Sequence, residues 1–177
     1  MKILLGICGS IASYRSPDLV KALVKEGHDV RCVLTNSARS FVGEKALETF
    51  SQNKSLSNDA FANEHQGTEH IASARWAETM VFYGATAHRL AKCAHGLADD
   101  FLTTQYLAFE GPVIFVPAMN PSMWNHPSTN QNIQTLKSYG NKICGPISGK
   151  VACGESGLGH VEENSKIIEF ITGAKSL

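Results

Sequence analysis

Four short apolar runs constrain this chain most. They are Ile3-Leu4-Leu5-Gly6-Ile7-Cys8, Val30-Arg31-Cys32-Val33-Leu34, Thr79-Met80-Val81-Phe82-Tyr83 and Pro112-Val113-Ile114-Phe115-Val116. Each is short for a helix and continuous where a half-buried strand would alternate. Strands covered on both faces, as in parallel sheets, have this pattern. Helical spacing fills the gaps. Leu19, Val20, Leu23 and Val24 recur on one face and stop near Gly27, and residues 43–50 and 70–77 read as helices. A helix over Ser128–Tyr139 turns Ile133 and Leu136 inward, and residues 161–171 form a last amphipathic helix. Leu97, Phe101 and Leu102 have the spacing of core residues, 51–67 reads as a polar loop with one short strand, and 141–144 as a brief last strand. Strands alternating with helices predict an α/β fold with a central parallel sheet and right-handed crossovers.

At 177 residues and 43% hydrophobic content, the chain has the size of one domain, 1–177. Lys plus Arg number 16 and so do Asp plus Glu. That balance signals neither nucleic acid nor an anionic membrane, so a bound anion has to be held by local groups. The five cysteines show no paired or zinc-like spacing, which predicts no metal, and Cys8 and Cys32 fall in strands as buried thiols. The first residues enter a strand directly, and no run reaches the ~18 apolar residues of a membrane span. A reduced, cytoplasmic protein is the expectation.

Candidate site residues lie where the runs end. Pro117-Ala118-Met119-Asn120-Pro121 leaves the fourth run, and ligands of open α/β sheets bind outside the carboxyl ends of strands. The Asn120 amide suits a substrate carboxylate, and it equally suits capping a helix. Gly9-Ser10-Ile11 joins a strand to a helix, where free N–H groups favour phosphate, or where the chain makes an ordinary tight turn. Thr35 and Ser37 offer hydroxyls at the second strand's end, for phosphate or for capping. His70 opens a helix, a place for a general base or a surface residue. Residues 145–160 are glycine-rich and contain Cys153, which predicts a mobile flap or a flexible hairpin.

Taken together, Pro-Ala-Met-Asn-x-x-Met-Trp at 117–124, Gly-Ser-Ile-Ala at 9–12, His-Ile before Ala-Arg-Trp-Ala at 70–77 and Ala-Cys-Gly at 152–154 resemble the flavin-dependent cysteine decarboxylases. The resemblance runs from Gly6 to Ile168 and is nearest to the phosphopantothenoylcysteine decarboxylase branch. It implies a flavodoxin-like three-layer sandwich and bound FMN. Gly9, Ser10, Ile11, Thr35, Ser37, Phe41, Ala85, Thr86, Ala87, His88, Arg89 and Ala118 would contact the cofactor. It implies His70 as base, Asn120, Met119 and His160 as substrate contacts, and Cys153 on a flap as the acid. It also implies a homotrimer or homododecamer with FMN between neighbours. Three positions depart from the family pattern. Tyr83-Gly84 stands where Ala-Pro is common, His88 where Asn is common, and His160 where Arg is common. Many bacterial relatives continue into a ligase domain, before which this sequence ends.

The implied reaction is decarboxylation of 4′-phosphopantothenoylcysteine to 4′-phosphopantetheine in coenzyme A biosynthesis. Loss of CO2 from a cysteine carboxylate needs an electron sink that side chains do not provide, whereas a flavin can create one by oxidising CH2–SH to a thioaldehyde. Two other readings stand beside it. A peptidyl-cysteine decarboxylase shares His70 and Asn120 and generally lacks the reductive step assigned to Cys153. A non-enzymatic flavoprotein paralogue acts by protein binding.

Overall fold

The computed structural model describes residues 1–58 and 68–173. The sequence runs become strands β1 (Lys2–Ile7), β2 (Asp29–Leu34), β4 (Thr79–Ala85) and β5 (Val113–Pro117). Two-residue strands, β3 (Leu56–Ser57) and β6 (Lys142–Ile143), edge the sheet. The order is β3-β2-β1-β4-β5-β6, and every pairing is parallel. Without the edge strand β3 this is the flavodoxin order, with its reversal between β1 and β4.

Alternate strand residues feed two cores, which is why the runs are apolar throughout. Ile3, Leu5 and Ile7 of β1, with Val81, Tyr83, Ile114 and Val116, pack on one face. That face is covered by α1 (Ser16–Lys25) through Leu19, Val20 and Leu23, and by α2 (Glu44–Ser51) through Leu47. On the opposite face, Leu4, Met80, Phe82 and Phe115 meet other helices. There α3 (Glu69–Trp76) packs on α5 (Phe101–Ala108), and α4 (Ala87–Ala94) supplies Leu90 and Cys93. Phe82 and Phe115 stack with ring centroids 4.5 Å apart, and Tyr106 meets Phe82 edge-on at 5.8 Å.

After β5 the chain forms a short helix, α6 (Pro121–Asn125), then α7 (Pro127–Ser138), which turns Ile133 and Leu136 into the second core. The final helix α8 (Asn164–Gly173) returns to the first face through Ile167, Ile168 and Ile171. The result is the expected three-layer sandwich.

Several local expectations change. Leu97 is 53% exposed, although Phe101 and Leu102 are buried as expected. Leu97 lies between α4 and α5, so helical spacing does not carry across it. The Gly9-Ser10 turn enters a 3-10 turn at Ile11–Arg15, and α1 begins only at Ser16. The loop expected over 51–67 falls partly outside the described residues, and β3 is the short strand that lies within them. The glycine-rich stretch forms an antiparallel hairpin, β7 (Ile147–Lys150) with β8 (Ser156–His160). Among the described residues, no helix is long and apolar enough to cross a membrane.

Candidate functional site

A cleft of 680 Å³ opens at the carboxyl ends of β1 and β5. That volume suits a small-molecule ligand. Ser10, Ile11, Tyr14 and Arg15 form one wall, Ala118, Met119 and Asn120 the floor, and Cys153 and His160 the hairpin side.

The floor is built by β5. Pro117 ends the strand, the Ala118 N–H donates to the Ala85 carbonyl at 3.1 Å, and the chain turns into α6. Asn120 is the cap of that helix, with Oδ1 accepting from the Ser122 N–H at 2.8 Å. This bond also fixes which end of the amide is which. Its Nδ2 therefore faces the hairpin, donating to Cys153 Sγ at 3.3 Å and to Glu155 Oε2 at 2.9 Å. The capping reading of Asn120 holds, and its two donors meet the hairpin.

The hairpin is docked at its base. Met119 N–H donates to the Gly159 carbonyl at 3.0 Å. A Cβ on Gly159 would collide with the Met119 carbonyl, so the close approach requires glycine. At least part of the glycine content thus serves contact with β5. His160 lines the cleft and is held by Nδ1, whose N–H donates to the Val161 carbonyl at 2.9 Å. Lys150 also lines the cleft, and Arg15 is paired with Glu163 at 2.8 Å.

The Gly9-Ser10 turn lies against the end of β2. Ser10 Oγ accepts from Ala12 N–H at 3.3 Å. Thr35 Oγ1 donates to the Ile7 carbonyl at 3.2 Å and accepts from Ala38 N–H, tying the two strand ends together. A Cβ on Gly9 would strike Ser37 Cβ, so the turns can lie side by side only with glycine there. Ser37 is exposed, and Ile11 and Phe41 are 50% and 36% exposed at the same end of the sheet.

The third loop departs from the family pattern for a visible reason. Gly84 has φ +64° at an irregularity in the β4–β5 pairing. A Cβ there would lie 2.7 Å from Ser13 Oγ. Proline, fixed near −65°, does not fit this backbone. Tyr83 is fully buried, and burial pushes its hydroxyl pKa up. Thr86 caps α4 by accepting from Arg89 N–H at 3.2 Å, Ala85 is buried, Ala87 packs on the second core and His88 is exposed.

Arg89 turns elsewhere. It is 5% exposed, and its guanidinium pairs with Asp100 at 2.8 Å, beneath Cys8 and Cys93. Burial works against the Asp100 charge, but the Arg89 guanidinium and Thr103 hold its carboxyl well below the usual range. Burial likewise raises the Cys8 thiol to about 11.

His70 lies near the start of α3, half-buried, and does not line the cleft. Its carbonyl accepts from Ser73 Oγ at 3.3 Å, and Ser73 in turn accepts from Gln105 Nε2 at 2.6 Å. The cleft therefore gathers Ser10, Ile11, Ala118, Met119, Asn120, Cys153 and His160 from the expected set. It leaves out Gly9, Thr35, Ser37, Phe41, His70 and the 85–89 loop. Sequence reasoning missed Arg15, Lys150 and Glu155, which as exposed or half-exposed charges carry no periodic signal.

Residues 1–176 match the family model described as Flavoprotein. The chain belongs to the flavoprotein family. Among its relatives is the Coenzyme A biosynthesis bifunctional protein CoaBC of Borreliella burgdorferi, 41% identical over 96% of this chain. The chain spans 43% of that protein's length. It spans 96% of the probable phosphopantothenoylcysteine decarboxylase of Streptococcus mutans, with 40% identity over 96% of this chain. Among solved structures, a PPC decarboxylase cysteine-to-serine mutant complexed with pantothenoylaminoethenethiol superposes with a TM-score of 0.90 at 28% identity. The alignment covers 99% of this flavoprotein and 98% of that chain. The FMN-dependent cysteine decarboxylase SpaF gives 0.84 at 29% identity, covering 100% and 98%.

Proposed function

We propose that this flavoprotein is an FMN-dependent carboxy-lyase that converts 4′-phosphopantothenoylcysteine to 4′-phosphopantetheine in coenzyme A biosynthesis. The observation that carries the reading is the meeting of Asn120 and Cys153 over one cleft, a carboxylate-binding donor 3.3 Å from a thiol. The relatives named for this pathway support it.

The residues present fit FMN. The glycine-dependent contact between Gly9 and Ser37 leaves two polar turns side by side at the carboxyl ends of β1 and β2, next to the switch point between β1 and β4, a place for the phosphate. Exposed Ile11 and Phe41 offer apolar surface to a flat ring. When bound, FMN supplies a two-electron oxidation of the substrate CH2–SH group and the hydride for the final reduction.

The side chains do the rest. Asn120 Nδ2 donates to the substrate carboxylate and holds it against the reacting carbons. His70 accepts the proton released as the thioaldehyde forms. The C–C electron pair then forms a C=C bond and the C=S π pair moves onto sulfur, giving an enethiolate as CO2 leaves. Cys153 donates a proton to the carbon that lost CO2. Lys150 and His160 line the cleft where an anionic substrate would extend.

His70 stands outside the cleft of its own chain, on α3 where that helix packs against α5. An oligomer with FMN between neighbours would bring His70 of one copy to the cleft of the next, and we propose that arrangement, as a trimer or a dodecamer. The test of the function is direct. The purified protein should be yellow, release CO2 from phosphopantothenoylcysteine and yield 4′-phosphopantetheine by mass spectrometry. A colourless protein that takes up no added FMN would refute the reading.

A further inference from the structure

Asn120 presents its two amide protons to the hairpin, and one already meets a carboxylate, Glu155 Oε2 at 2.9 Å. That carboxylate belongs to the chain itself and occupies the donor assigned above to the substrate carboxylate. We propose that Glu155 is a surrogate for the substrate carboxylate. Substrate displaces it from Asn120, and its return after CO2 departs brings Cys153 onto the enethiolate. The proposal rests on the decarboxylase reading.

Three features of the geometry support it. First, Cys153 and Glu155 belong to one closed turn, in which Val151 N–H donates to the Glu155 carbonyl and Gly154 N–H to the Val151 carbonyl, both at 2.9 Å. They therefore move together. Second, the hairpin is anchored below this turn, by Met119 N–H on the Gly159 carbonyl and by Gly157 against Pro121. With its base fixed, the tip is held over the cleft by the two Asn120 Nδ2 contacts, of which the bond to the Glu155 carboxylate is the shorter and the charged one. Third, Asn120 Oδ1 is committed to Ser122, so the amide cannot rotate to serve a second carboxylate without losing its cap.

Two carboxylates crowded onto one donor also repel each other. While the substrate carboxylate is bound, Glu155 is displaced and Cys153 with it. Breaking the C–C bond leaves its electron pair in the enethiolate and removes the competing charge as neutral CO2. Glu155 then regains Asn120, and the Cys153 proton reaches the carbon that lost CO2. The order of events is thus set by competition for one amide, with proton delivery waiting on decarboxylation.

The test uses the FMN-loaded protein and two substitutions at an exposed position, Glu155→Ala and Glu155→Gln. The other four cysteines are buried, so iodoacetamide reports on Cys153. Glu155→Ala should speed Cys153 alkylation about tenfold, the scale of losing one hydrogen bond to a charged group. With substrate, it should raise the ratio of enethiol to 4′-phosphopantetheine per CO2 by a similar factor. Glu155→Gln keeps an acceptor for Asn120 Nδ2 and should return both readings toward the parent. A parental alkylation rate in Glu155→Ala overturns the contact, and a parental product ratio overturns its role in delivery. A parent protein that releases no CO2 overturns the decarboxylase reading and the surrogate role with it, while alkylation still reports on the contact.

Discussion

Asn120 uses the two ends of one amide for different jobs, and substitution can separate them. Asn120→Asp keeps an oxygen to accept from the Ser122 N–H and places a carboxylate where the donors were. Its thermal unfolding should stay close to the parent's, because Asp caps helices as well as Asn does. Turnover should fall by two orders of magnitude or more, since a negative group now faces the substrate carboxylate. A melting temperature lowered along with activity would make the residue primarily a cap. At Cys153 the expectation is a change of product. A serine hydroxyl is a far weaker acid than a thiol, so Cys153→Ser should slow the final protonation by about 10²–10⁴-fold. Under anaerobic conditions CO2 should still form, and the enethiol should accumulate in place of 4′-phosphopantetheine. The similar PPC decarboxylase mutant, in which serine replaces a cysteine, is complexed with an enethiol. Normal yields of the saturated product from Cys153→Ser would reduce Cys153 to a lining residue.

Between elements, the buried pair of Arg89 and Asp100 joins α4 to the start of α5. Asp100 also caps α5 by accepting from Thr103 N–H at 2.9 Å. Removing the guanidinium takes away the nearer cation and leaves Lys92 Nζ, 3.3 Å from Asp100 Oδ2, as the remaining one, so the cost should lie below the roughly 3–5 kcal/mol of an uncompensated buried charge. Arg89→Met should therefore lower the urea midpoint markedly at pH 7. The sign of the pH dependence follows from the depressed Asp100 pKa. The pair's contribution is complete above the unfolded carboxyl value of about 3.9, and it declines as the pH falls below that value. The gap between parent and variant midpoints should thus begin to narrow only below about pH 4 and close as the pH approaches the depressed folded value. A gap that stays constant down to low pH would show that Arg89 acts through packing alone. Read from sequence, Arg89 belonged to a flavin-contact loop. Its burial depends on Asp100, eleven residues away, and nothing in local spacing pairs the two.

At the scale of the whole molecule, the proposed assembly can be tested by mixing two defective forms. A His70→Asn subunit and a Cys153→Ser subunit each lack one group, and only a site shared between copies restores a complete set. Co-refolded mixtures should regain a substantial fraction of parental 4′-phosphopantetheine formation, whereas either variant alone should not. Absence of recovery in verified mixed oligomers would place both groups within one chain's site. The sandwich itself was legible because Ile3 to Cys8 and Val113 to Val116 are covered on both faces and leave unbroken apolar runs. The floor of the cleft was legible too, since Pro117 to Asn120 carry a specific motif at a strand end. The partners of Asn120 were not, because Glu155 reads in sequence as a solvent-facing acid and meets the amide only after the hairpin docks. That docking has an evolutionary side. The glycine contacts of β8 hold the base of the hairpin on Met119 and Pro121, while the tip presents Cys153 and Glu155 to Asn120. Such a tip behaves as an exchangeable cassette. Rewriting a handful of positions between Val151 and Ser156 would give a lineage a new substrate or a truncated reaction, with the sheet and its cofactor turns inherited unchanged.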